Sequence, residues 1–134
     1  LTASHTQGHI VRAIMEGVAF SLKDSIEIFR DLGVDARTIR LGGGGATSKL
    51  WRQIQADVYG QTVEIAKNDE GAAFGAAILA GVGAGIWATV AEACDATIEI
   101  AERTEPNAED AAALNRNYEI YGRLYGALKT ANEG

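Results

Sequence analysis

Four consecutive glycines, Gly42 to Gly45, follow a short β-prone run, Thr38 to Leu41, and precede a segment that reads as a helix. Without β-carbons this stretch reaches backbone angles closed to other residues, so the chain can turn sharply from strand to helix. Such a turn lets main-chain N–H groups approach a phosphate or ribose directly, and the helix start beyond it adds a partial positive charge. One or two glycines would satisfy a tight turn alone; four in a row favour a ligand.

The flanking segments alternate between helix and strand. From Gly8 to Leu32, Ile10, Ile14, Val18, Leu22 and Ile26 recur every fourth position, which predicts a long amphipathic helix. Gly33 supplies a left-handed C-cap, and Val34 folds back on the last turn. After the glycines, Thr47 or Ser48 caps a helix with Leu50, Trp51, Ile54 and Val58 on its apolar side, ending near Tyr59 and Gly60. A strand from Thr62 to Ala66 follows. Asp69 then caps a small-residue helix from Glu70 to about Ala80, and Gly81, Gly83 and Gly85 break the pattern. Thr89 to Cys94 forms a helical turn, Thr97 to Ala101 alternates like an edge strand, and Pro106 and Asn107 begin a last helix carrying Leu114, Tyr118, Tyr121, Tyr125 and Leu128. This is an α/β pattern that favours parallel pairing, with a sheet too small to stand alone, so further strands are expected upstream of Leu1.

A formal net charge of −6, with acidic and basic residues interspersed, leaves no basic stripe for nucleic acid. The most apolar region, Ala72 to Val90, is too weakly hydrophobic to span a bilayer, and the lone Cys94 reads as a small core residue in a reducing, cytoplasmic compartment. Opening on Leu1 without a charged, then apolar, leader suggests no signal peptide and a piece of a longer protein. A P-loop is rejected because Lys49 stands between Ser48 and Leu50. The dinucleotide fingerprint fits better: Gly43, Gly45 and Ser48 take its spacing, with Glu64 at the end of the next strand as the ribose acid. That NAD-type unit is one rival, and a non-catalytic domain with a merely structural turn is another. His5 and His9 stand one helical turn apart without a third metal ligand, Arg12 and Glu16 form an ordinary pair, and Asp24, Asp57 and Asp69 lack a neighbouring base.

Several runs in order carry a likeness: Leu1-Thr2 through His5, Arg12 to Ala19, Gly43 to Ala46 with Trp51-Arg52-Gln53 and Ala56-Asp57-Val58, Glu70 to Ala77, and Tyr118 to Tyr121 with Leu124-Tyr125. Together they resemble the FGGY family of carbohydrate kinases. The resemblance implies an actin-like, ribonuclease-H-like ATPase of two lobes with ATP and sugar in the cleft, of which residues 1–134 would be the C-terminal part of the second, nucleotide-binding lobe. A partial lobe with a few short parallel strands and several helices is the expected architecture. It further implies that Gly43, Gly44, Gly45 and Ala46, with Ser48 and Lys49 nearby, contact the nucleotide, although the family's usual Asn after the turn is not present. The catalytic base and the magnesium ligands would lie outside these residues, so the chain alone should be inactive. The implied reaction moves the γ-phosphate of MgATP to a ketose such as xylulose. The first helix should expose part of its apolar stripe unless another copy or absent strands cover it, so a homo-oligomer of the chain is expected.

Overall fold

The computed structural model describes residues 2–34, 36, 38–67 and 71–132. Its elements are α1 (Gln7–Asp31), β1 (Ile39–Leu41), a 3-10 turn (Gly44–Thr47), α2 (Lys49–Tyr59), β2 (Val63–Ala66), α3 (Gly71–Gly83), α4 (Val90–Thr97), β3 (Ile100–Thr104) and α5 (Ala108–Asn132).

Helix α2 is the centre of the molecule. Ser48 caps it by accepting the Trp51 N–H at 3.3 Å, and Gly60, at φ 63°, ends it in the left-handed conformation. Its Ile54, Ala56, Val58 and Tyr59 are buried with Ala19 and Phe20 of α1, Val63 of β2 and Leu114 of α5. Each of the larger side chains among them contributes about 1.5 to 3 kcal/mol by leaving water.

Helix α1 ends as its sequence requires: Gly33 has φ 81°, its N–H donates to the Arg30 carbonyl, and the Val34 N–H reaches back to Phe29, both at 2.9 Å. Its packed side shares only Ile26 with the stripe that repeats every fourth residue. Ala19, Phe20 and Lys23 are buried, with Met15 and Ile26 against the core, whereas Ile10, Ile14, Val18 and Leu22 are exposed, Ile14 by 62%. Because successive helical residues are offset by about 100°, the packed face and the bare stripe are neighbouring faces of one cylinder. The pattern located an apolar stripe, but α2 and α5 take the adjacent one.

The three strands form a mixed sheet in the order β1-β2-β3. β1 and β2 are parallel, pairing Ile39 with Val63, Arg40 with Glu64 and Leu41 with Ile65. β3 runs antiparallel to β2, with Glu64 opposite Arg103 and Val63 opposite Thr104. The expected parallel pairing holds for β1 and β2 and fails for β3, because the chain between β2 and β3 returns through two helices without restoring strand direction. β3 also begins later than Thr97, because the Thr97 hydroxyl closes α4 on the Ala93 carbonyl at 2.6 Å.

Helix α3 continues through Gly81 and Gly83. Gly85 alone of these glycines has positive φ, 76°, and the Ile86 N–H returns to the Gly81 carbonyl at 2.9 Å. Asp69 and Glu70, expected to start this helix, and Leu1 lie outside the described residues. Thr89 caps α4, a fuller helix than the single turn expected, by accepting the Glu92 N–H at 3.1 Å, and Cys94 within it is half-buried. Asn107 caps α5, accepting the N–H groups of Glu109 and Asp110 at 2.9 and 3.1 Å. Pro106 therefore precedes the cap instead of opening the helix. Tyr118 and Tyr121 pack on Phe20 with ring centres 5.7 and 5.4 Å away, while Tyr125 and Leu128 are exposed. None of the described helices is long and apolar enough to cross a membrane.

Candidate functional site

The glycine run leaves β1 and closes on itself before α2. Gly43 has φ 77°, a conformation that penalises any residue with a β-carbon. The Gly43 carbonyl accepts the Ala46 N–H at 3.0 Å, the Gly45 carbonyl accepts the Ser48 N–H at 3.1 Å, and the Gly44 carbonyl accepts the Thr47 hydroxyl at 2.7 Å. The Ala46 carbonyl accepts Nη1 of Arg52 at 2.7 Å. All the carbonyls from Gly43 to Ala46 are thus engaged within the protein.

Three glycines of the run differ in what a side chain would meet there. Gly43 needs its backbone angle. A β-carbon on Gly45 would lie 3.4 Å from the Trp51 indole. On Gly44 it would meet nothing within 4 Å, and no positive φ is required there. Beside the turn, Gly43, Ala46 and Thr47 join Ile65 and Ala66 around a hollow of about 100 Å³. It lies at the carboxyl ends of β1 and β2, where ligands of open α/β sheets bind. Drug-sized ligands fill pockets of about 300 to 1,000 Å³, so the hollow by itself is smaller than such a site.

Gly43 to Ala46, Ser48 and Lys49 are brought together by this turn. The Ser48 hydroxyl is engaged in capping α2, and Lys49 is exposed at the first position of that helix. In the sequence Arg52 stood only within the Trp51-Arg52-Gln53 run, with nothing local to mark it as part of the site. It is 4% exposed, and its Nη2 pairs with Glu102 on β3 at 2.8 Å.

The remaining candidates have structural roles. Glu64 is buried between Arg103 at 2.7 Å and Arg40 at 3.6 Å, so its carboxylate is bound by two arginines. Asp57 accepts Nε2 of Gln53 at 2.8 Å and the Asn107 N–H at 2.7 Å, fastening the start of α5 to α2. Asp24 accepts the Tyr118 hydroxyl at 2.5 Å. Burial, then the Asp24 carboxylate, pushes Tyr118 up to about 12. Tyr59, whose hydroxyl donates to Gln55, is likewise pushed to about 12 by burial. Burial lowers the pKa of Lys23, which sits 4.6 Å over the Tyr118 ring; Glu27 opposes that shift. His9 Nδ1 accepts the Thr6 N–H at 3.1 Å and His5 Nδ1 accepts that of Thr2 at 3.0 Å, so both rings brace local turns. Arg12 and Glu16 pair at 2.6 Å within α1. Among the described residues no three His, Cys, Asp or Glu side chains converge as a metal site.

The profile of the FGGY family of carbohydrate kinases, C-terminal domain, matches residues 1–84. A xylulose kinase of Staphylococcus epidermidis is 37% identical over 129 residues, 96% of this chain and 26% of that protein. A glycerol kinase of Bdellovibrio bacteriovorus is 42% identical over 93 residues, 69% of this chain and 19% of that protein. The crystal structure of xylulose kinase from Rhodospirillum rubrum is similar with a TM-score of 0.87 at 30% identity, covering 100% of this chain and 27% of that one. The chain thus spans about a quarter of the length of the curated xylulose kinase it matches. Its architecture is that of part of an actin-like ATPase lobe. With more than half of its residues matched by one profile and its whole fold shared with a solved member, the chain belongs to the FGGY family of carbohydrate kinases.

Proposed function

We propose that this chain is the C-terminal part of a sugar kinase's nucleotide lobe and forms one wall of the ATP site, in an enzyme that transfers the γ-phosphate of ATP to a hydroxyl of xylulose. The observation that carries the reading is Gly44, whose side-chain space is open and whose backbone does not demand glycine. A ligand lying against the turn would account for that bareness. Gly43, Gly44, Gly45 and Ala46 would lie against the nucleotide, with Ser48 and Lys49 contributing the capped, positively charged start of α2.

Relatives named for xylulose and for glycerol share this segment. That fits a nucleotide role here and leaves the sugar contacts to the rest of the enzyme; likeness along 96% of the chain favours xylulose. Magnesium would accompany ATP; among the described residues no three His, Cys, Asp or Glu side chains converge to hold it. Phosphoryl transfer depends on positioning and charge stabilisation, so one wall alone does not turn over. The cytoplasm is the compartment this reading implies.

Calorimetry on the full-length protein tests it. Binding heat is expected with ATP and not with NAD. The reverse would make the turn a dinucleotide site, and silence with both would make it a structural bend; either result overturns the proposal.

A further inference from the structure

Within the turn, the carbonyls of Gly43, Gly44 and Gly45 are closed by neighbours in the turn itself, but that of Ala46 is closed from the next helix, by Arg52 at 2.7 Å. Ala46 lines the hollow. A carbonyl released at that point could swing its negative end toward an anionic ligand.

We infer that Arg52 is the positioning residue of the nucleotide turn: by holding the Ala46 carbonyl inward, it keeps the turn's amide side toward the phosphates. The inference rests on the nucleotide reading above. Its second hand, Nη2, grips Glu102 on β3 at 2.8 Å, so one guanidinium ties turn, helix and sheet into a single frame. Stability alone does not explain an arginine here. It is 4% exposed, its Nε is buried without a hydrogen-bond partner, and its acidic partner is 48% exposed. Buried ion pairs are often replaced by apolar residues without loss of stability, so an arginine kept with an unsatisfied donor points to a requirement for geometry.

The test uses the full-length kinase with Arg52→Met and Arg52→Lys, reading ATP affinity by calorimetry and the KM for ATP against the KM for sugar. Arg52→Met is expected to weaken ATP binding about tenfold while the sugar KM stays within about twofold. Arg52→Lys recovers part of the loss, since one ammonium reaches one of the two acceptors. A folded Arg52→Met protein that binds ATP like its parent overturns the inference, as does an equal loss toward ATP and sugar. A parent that gives no ATP heat sinks the nucleotide reading instead. Should Arg52→Met fail to fold, Glu102→Ala frees the same guanidinium from its exposed end; a selective loss of ATP affinity of about threefold is then expected, and unchanged affinity overturns the inference.

Discussion

A β-carbon added to Gly81 would come within 2.3 Å of the Trp87 ring, closer than any real contact. At Gly83, two positions later in the same helix, it would meet nothing within 4 Å. Helix propensity favours alanine over glycine by about 1 kcal/mol at either site, so the clash decides the sign. Gly81→Ala should lose about 1 to 3 kcal/mol in urea unfolding, and Gly83→Ala should gain up to about 1 kcal/mol. Gly44→Val asks a different question, because its side chain enters space the fold leaves open. ATP affinity should fall about tenfold or more with the melting temperature unchanged, whereas a loss of fold without a selective effect on ATP would mark Gly44 as structural. At this scale the sequence placed the helix-ending Gly33 and Gly60 on α1 and α2, but it stopped α3 too early, at a glycine through which the helix runs. It did not show what Asp57 and Arg52 do. Their partners, Asn107 and Glu102, lie 50 residues away along the chain, and local spacing carries no information about them.

Among the elements, the helices were legible because 3.6-residue periodicity is a local property, and the strand, glycine turn and helix start around residue 44 stood out for the same reason. Strand direction and the choice of packed face were not. The sense of β3 is set by how α3 and α4 carry the chain back to the edge of β2, and the buried side of α1 by where α2 and α5 sit. The start of α5 is also a matter of chemistry that spacing only approximated. Asn107 accepts two helix N–H groups while its own N–H is held by Asp57. Asn107→Ala should therefore cost about 1 to 2 kcal/mol by chemical denaturation, because the two helix N–H groups lose their side-chain acceptor while the backbone bond to Asp57 remains.

Taken as a whole, the chain exposes 9061 Å², against about 6,700 Å² for a compact monomer of 14.1 kDa. Apolar residues are exposed along the bare stripe of α1 and on the outer end of α5, where Ile120, Leu124, Tyr125 and Leu128 lie. Surface of that kind seeks cover. In sedimentation, the isolated chain is expected to associate, and Ile14→Lys should reduce the association by placing a charge in the stripe. A compact monomer across a wide concentration range would refute this. The edge of the sheet carries a related hazard. β1 sits at that edge, with β2 as its strand neighbour, and its middle residue is Arg40, tied to Glu64. Without that charge, Ile39 and Leu41 would flank a third apolar position in a strand open to addition, the arrangement from which fibrils are seeded. Arg40 places a charge in that edge, so solubility, more than stability, is what its loss is expected to cost.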